Sequence, residues 1–346
     1  MKYISFIICL VVLTSCTSDS HREFTAVTVE DVFIDSLSIR AIAPLDEHRV
    51  WFAANRGQVG FIDSLTPKLA TIRYEDSLLH FRSIAATKNA VFVLSIANPG
   101  VLYKIDFDGK EATHIEEVYV EKGEKVFYDA MAFWNEKEGI AMGDPTDNCL
   151  SILLTKDGGN TWKKVPCESL PQVEQGEAAF AASNTNIALL NNHVWIASGG
   201  TKARVYHSAD MGQQWEVFNT PMVQGASMTG IYSIDFFDEQ TGVIFGGNWE
   251  EKDFNKGNKA LTEDGGKTWR LLSDGVGPGY RSCVSFVPGT NGNGLVAVGS
   301  PGISYSNDQG ESWVELSSEG FYAVAFVNDS VAFASGRNRI SKLRFQ

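Results

Sequence analysis

Basic side chains are in short supply in this chain. Its 346 residues hold 29 Lys and Arg against 42 Asp and Glu, a net charge of −13, which leaves no net attraction to phosphate and argues against nucleic acid and anionic lipid as partners. The six histidines, at 21, 48, 80, 114, 193 and 207, stand alone without ligand spacing, so no metal is expected. No G-x-G-x-x-G joins a strand to a helix, and V-G-S-P-G at 298–302 belongs to a loop, so neither a nicotinamide nor a flavin is expected, nor any other cofactor. Long runs of helix formers are almost missing. The apolar run from Ile4 to Leu13 is too short to cross a bilayer.

What the chain does contain is glycine and aromatics: 32 Gly, 8 Trp and 21 Phe, a composition that suits many short strands separated by turns. One eight-residue pattern, Ser or Thr, any, Asp, any, Gly, any, any, Trp, is written four times: T-K-D-G-G-N-T-W at 155–162, S-A-D-M-G-Q-Q-W at 208–215, T-E-D-G-G-K-T-W at 262–269 and S-N-D-Q-G-E-S-W at 306–313. As a hairpin connection it makes physical sense. The hydroxyl and the carboxylates of Asp157, Asp210, Asp264 and Asp308 can hydrogen-bond the turn's own backbone, and the Gly supplies positive φ. Trp162, Trp215, Trp269 and Trp313 then bury their indoles beneath the loop.

These four segments resemble Asp-box, or BNR, repeats, as found in sialidase-like β-propellers and in the photosystem II assembly-factor-like propeller family. The resemblance implies fold and says little about function, because such boxes lie at the periphery of a blade. A second signature recurs through the chain, an aromatic or apolar residue, a variable polar residue, then alternating small and apolar residues. It begins at Ile39, Phe81, Phe127, Glu177, Ile231, Tyr280 and Phe321, and each copy is followed by a second strand ending in small residues. These seven units, spaced roughly 40 to 53 residues apart, predict an all-β, seven-bladed β-propeller of four-stranded blades. The last unit runs out of chain after about three strands. Phe24 to Val29 is expected to supply its outermost strand and close the ring.

Lys2 and the apolar segment behind it read as a targeting leader. L-T-S-C at Leu13 to Cys16 resembles the lipobox of bacterial lipoproteins, which implies cleavage before Cys16, its lipidation, and membrane anchoring in the cell envelope, periplasmic or at the outer-membrane surface. Residues 1–15 would then be signal peptide, 16–23 a polar tether and 24–346 a single propeller, expected as a monomer. Three further cysteines remain. Pairing Thr155 with Trp162 across the repeat hairpin carries Cys149 and Cys167 to nearly opposite positions at its open end, where an oxidising compartment would allow a disulfide; two free thiols are the alternative. Cys283 is expected as a small buried hydrophobe.

Folding the units into a ring places the variable polar residue of each inner strand on one face: Arg40, Arg82, Asp129, Glu177, Tyr232, Arg281 and Tyr322. Loops between second and third strands add Arg56, Asp144, Lys202, Trp249, Ser300 and Arg337. Arg281, Arg337, Arg40, Arg56 and Arg82 come from neighbouring units, five of the twelve Arg in a net acidic chain. Such a cluster is expected to hold a carboxylate-bearing ligand or an acidic protein segment, since guanidinium presents a planar fork of donors. The alternative is that these Arg stems pack on Phe and Tyr and pair with Asp129, Asp144 and Glu177.

Two functions follow. The resemblance to the assembly-factor-like propellers implies a non-catalytic binding or assembly platform. The resemblance to sialidases implies a glycoside hydrolase with an Arg-anchored sugar acid, for which Phe81 to Ile84 is similar to the F-R-I-P segment without its Pro, and Tyr280, Tyr322, Glu177 and Asp129 are the candidate catalytic residues. The oxidoreductase label sometimes attached to lipoproteins of this type finds no cofactor site. An inserted stretch at 248–259, carrying Trp249 and Phe254, is expected on the same face as a lid or partner contact.

Overall fold

Runs of apolar and β-branched residues, interrupted every few positions by Gly, Asn and Asp, favour short antiparallel strands joined by tight turns. The computed structural model describes residues 23–64 and 66–346, so the leader and Cys16 lie outside the described residues. Successive strands pair as antiparallel meanders, for instance Tyr128–Phe133, Gly139–Gly143, Ser151–Thr155 and Lys163–Lys164. Three more four-stranded blades follow the same plan. They start from the innermost strands Phe81–Ala86, Ile187–Leu190 and Cys283–Phe286.

The structure is a propeller of six blades, which corrects the expected seven. The described strands form six sheets of four or six strands, and the physical reason lies in one long strand. Val27–Pro44 runs unbroken for 18 residues, pairing with Val331–Phe345 along its first part and with Arg49–Ala54 along its last. The strands after Phe321 are thereby joined to the first blade in one six-stranded sheet and do not stand as a separate seventh blade. Phe24 lies outside that strand, buried against Tyr305 and Phe345.

A second correction concerns the fourth blade. The segment from Glu177 was expected to be its innermost strand, yet only Glu177–Ala178 is extended, pairing with Gly199–Gly200 at the edge of the fifth blade. The innermost strand is Ile187–Leu190. Residues 179–186, A-F-A-A-S-N-T-N, instead lie across the ring as an irregular buried plug. A buried irregular segment must have its polar groups satisfied. Here Asn184 Nδ2 donates to the Ile84 carbonyl at 3.0 Å and Asn184 Oδ1 accepts from Met131 N at 3.0 Å. Ser183 Oγ donates to Ser282 O at 2.7 Å, and the Thr185 hydroxyl meets Ser233 Oγ at 2.7 Å. The plug thus ties the second, third, fifth and sixth blades together at the axis.

The four eight-residue repeats are hairpin connections. In the first, Thr155 Oγ1 donates to Asp157 Oδ1 (2.9 Å) and accepts from Gly159 N, Asp157 Oδ1 accepts from Thr161 N, and Trp162 Nε1 donates to Gly159 O. The other three repeat the hydroxyl, carboxylate and indole contacts. Glycine is required at their fifth position, where φ is between 76° and 91°. Cys149 and Cys167 are joined by a disulfide with Cα atoms 5.6 Å apart, and Cys283 is a buried free thiol.

Candidate functional site at the channel mouth

The variable polar residues of the inner strands owe their position to β-bulges. Ile39 pairs with Ala54 and Ala41 with Ala53, leaving Arg40 as the extra residue. The same irregularity isolates Arg82 between Phe81 and Ser83, Asp129 between Tyr128 and Ala130, and Tyr232 between Ile231 and Ser233. A bulge breaks the alternation of the pleat and re-aims one side chain. The partner strand must come close there. A Cβ on Gly143 or Gly246 would collide with the carbonyl oxygen of Phe127 or Gly230, which is why second strands end in small residues.

Four bulge residues, Arg40, Arg82, Asp129 and Tyr232, converge with Tyr322 above the plug. Arg40 Nη1 donates to the plug carbonyl of Ala182 at 3.3 Å, and its guanidinium carbon lies 4.1 Å from the centre of the Tyr322 ring. Arg82 Nη1 donates to Ala181 O at 3.3 Å, and Arg82 Nε donates to His80 Nε2 at 3.3 Å. Burial and the neighbouring Arg40 charge bring the Arg82 pKa down to about 10, and burial with both arginines holds His80 down to about 4, so the imidazole is neutral. Among the described residues neither guanidinium makes an ion pair, and Arg40 Nε is buried without a hydrogen-bond partner.

The carboxylates nearby do not cancel this charge. Asp129 is fully buried, its carboxyl facing the backbone N–H groups of Asp144 and Ala181. Burial first, then the Asp144 carboxylate, push its pKa well above the usual range despite Arg82. Burial also raises Asp144 to about 6, although its Oδ1 accepts from Ala179 N at 2.7 Å. Because burial favours its neutral form, Asp129 offsets less of the arginine charge than an exposed carboxylate would.

An aromatic wall completes the mouth. Phe180 of the plug stacks on Tyr232 with ring centres 4.0 Å apart, and Tyr280 packs edge-on against Tyr232 at 4.8 Å. The 248–259 insertion is fastened beside them. Tyr280 N donates to Lys252 O at 2.8 Å and Trp249 N to Met228 O at 3.1 Å, while the side chains of Trp249 and Phe254 remain exposed.

The other expected members are elsewhere. Arg281 is buried within its own blade, Nη1 donating to Tyr280 O and Nη2 to Ser304 Oγ at 2.8 Å. Arg56 and Arg337 are exposed on the rim beside Ser36 and Ser38. Glu177 is buried and bound to Arg204, far from solvent, because its segment is not an inner strand. The five-guanidinium cluster therefore resolves into the Arg40 and Arg82 pair, two rim arginines and one buried arginine. His80 and Phe180 were missed. His80 was within reach of the sequence only as a close neighbour, since H-F-R at 80–82 puts it two residues from Arg82. Phe180 was not, because its segment was taken as a strand.

Comparison with known proteins adds the fold. No family profile and no curated protein matches the sequence. Among solved structures, a YCF48 bound to D1 peptide superposes with a TM-score of 0.65 at 15% identity, covering 94% of this chain and 98% of that one. YCF48 from Cyanidioschyzon merolae gives 0.62 at 14% identity, over 93% and 98%. A GH74 xyloglucanase from Xanthomonas campestris gives 0.64 at 13% identity, over 92% of this chain and 54% of that chain. At such identities the likeness is one of fold: this chain is an all-β propeller similar to a photosystem II assembly factor and to a glycoside hydrolase.

Proposed function

We propose that the chain is a non-catalytic binding platform whose channel mouth captures a carboxylate-bearing protein segment. The observation that carries this reading is the Arg40 and Arg82 pair, anchored on plug carbonyls and a neutral imidazole, with no carboxylate hydrogen-bonded to either among the described residues and only the buried Asp129 acting on Arg82 through space. Guanidiniums fixed in this way offer free donor edges to an incoming carboxylate. Exposed Trp249 and Phe254 beside the mouth supply the aromatic contact surface that protein recognition favours. The fold shared with a YCF48 bound to a peptide supports the same mode.

The hydrolase reading draws on the fold shared with a xyloglucanase and on the carboxyl pair Asp129 and Asp144. Against it, Asp129 and Tyr280 are buried, and burial drives the Tyr280 pKa far above the range in which a phenolate forms easily. Tethering to the envelope through Cys16 completes the proposal, and a Cys16→Ser variant should move from the membrane to the soluble fraction.

The deciding measurement is fluorescence polarisation of a labelled peptide with an acidic, free C-terminus against the full chain. Loss of two charge-assisted contacts, each about 1.5–3 kcal/mol, predicts that Arg40→Ala combined with Arg82→Ala weakens binding by about a hundredfold or more. Equal binding by the double variant would refute the site. Turnover of a fluorogenic sialoside that disappears with Arg82→Ala would establish the hydrolase instead.

A further inference from the structure

The four repeat hairpins do more than turn the chain: each closes the space against the blade before it. Trp162 packs on Phe92 of the preceding blade, and Trp313 packs edge-on against Phe245, with ring centres 5.5 Å apart. The third repeat satisfies a neighbour's polar atom. Trp195, in V-W-I-A-S of the fourth blade, donates its indole N–H to the repeat carbonyl of Gly265 at 2.8 Å.

The first blade carries the same strand, V-W-F-A-A, with Trp51 in the place of Trp195. Both pair with an alanine of the innermost strand, Ala43 and Ala188. The second blade, which should close over Trp51, has no repeat. In each repeat the Trp follows the Asp by five residues; in the turn D-F-D-G-K-E-A-T, Asp108 caps Lys110 N and Glu111 N at 2.8 Å, but the fifth residue on is Thr113.

Two consequences are visible. A cavity of about 430 Å³ opens between the outer strands of the first two blades, lined by Trp51, Phe61, Ile72, Ile105, Thr113 and Ile115. The Trp51 indole N–H, on a side chain 5% exposed, is buried without a partner. A buried donor left unsatisfied is costly, and native structures rarely tolerate one. Lys68 and Lys110 stand at the rim; Lys68 is paired with Glu111 at 3.1 Å.

We propose that this slot binds a small planar aromatic carboxylate. Its ring takes the volume that a repeat tryptophan takes between other blades, one carboxylate oxygen accepts the Trp51 N–H as Gly265 O accepts that of Trp195, and Lys110 at the rim favours the anion, Lys68 being held by Glu111. The volume lies in the range of small-molecule pockets. This site is separate from the channel mouth and does not depend on peptide binding there.

The test uses indole-3-carboxylate as probe and the indole N–H resonances of the ¹⁵N-labelled full chain. The Trp51 resonance, identified by its loss in Trp51→Phe, should shift saturably at sub-millimolar probe. Thr113→Trp, which restores the missing ring, should weaken binding at least tenfold and raise the melting temperature. Trp51→Phe keeps an aromatic face but removes the N–H donor together with the five-membered ring, so it should weaken binding about tenfold, measured by calorimetry, even if the Thr113 variant fails to fold. A Trp51 resonance unmoved at several millimolar probe, or binding by Trp51→Phe equal to that of the natural chain, overturns the proposal.

Discussion

Arg204 and the Arg40 and Arg82 pair are all withdrawn from solvent, but only Arg204 meets a carboxylate. Its Nε and Nη2 straddle both oxygens of Glu177, Nη2 also donates to Gln172 O, and the Tyr206 hydroxyl and Ser198 Oγ complete the carboxylate's shell. Both carboxylate oxygens of Glu177, and Nε and Nη2 of Arg204, have partners inside the fold. At the mouth, the guanidiniums rest on backbone carbonyls, an imidazole and a tyrosine face, and burial shifts the neighbouring Asp129 carboxyl toward its neutral form. The difference teaches which charge is structural. A charge neutralised within the protein stabilises the fold, whereas one held in place but not neutralised is left for a ligand.

The harshest way to probe this contrast is to remove Glu177. Glu177→Ala strands the Arg204 charge in a buried site and should cost about 3–5 kcal/mol in urea unfolding. Arg40→Ala loses a cation–π contact worth about 0.5–1 kcal/mol. Equal losses at the two sites would erase the distinction.

A smaller effect comes from Asp144. Its pKa is raised by burial to about 6 in the folded state, above its value in an unfolded chain, so the native state holds the proton more tightly. Below about pH 4 the carboxyl is protonated in both states and costs nothing; the cost appears as pH rises through that value and levels off above about 6. Asp144→Asn, which keeps an acceptor for Ala179 N, should match the natural chain's melting temperature at pH 3.5 and exceed it at pH 7.5. A difference independent of pH would show that the carboxyl is not so perturbed.

The gentlest test is His80→Ala. Because His80 is neutral, the change should loosen Arg82 and weaken peptide binding about threefold without altering its salt dependence, whereas Arg82→Ala should also flatten the salt dependence. Identical salt responses would mean that His80 carries charge at the mouth.

Much of the architecture is legible in the sequence because it repeats. The S/T-x-D-x-G-x-x-W segments announce their hairpins through contacts made within eight residues, and the variable polar position marks the bulge residue in four of the seven units, at Arg40, Arg82, Asp129 and Tyr232. The blade number was misjudged because nothing local in V-T-V-E-D-V-F-I-D-S-L-S-I-R-A-I-A-P tells where one ladder ends and the next begins. The strand Val27–Pro44 keeps its extended course through both. E-A-A-F-A has the alternation of an inner strand, but its Ala179 N–H and Ala181 carbonyl bond the side chains of Asp144 and Arg82 from two other blades.

What the amino-acid sequence determined by itself is therefore whatever rests on short-range periodicity: an all-β repeat fold, the four hairpin turns, and Arg40, Arg82, Asp129 and Tyr232 as residues set apart from the pleat. Which of those side chains face one another was decided only by ring closure and by the plug across the axis. Partners such as Arg40 and Ala182, or Glu177 and Arg204, lie 142 and 27 residues apart, and no local pattern encodes contacts over that range. The same closure left Trp51 without the neighbour that Trp195 has, because a missing repeat in one blade is felt in the core of the blade before it.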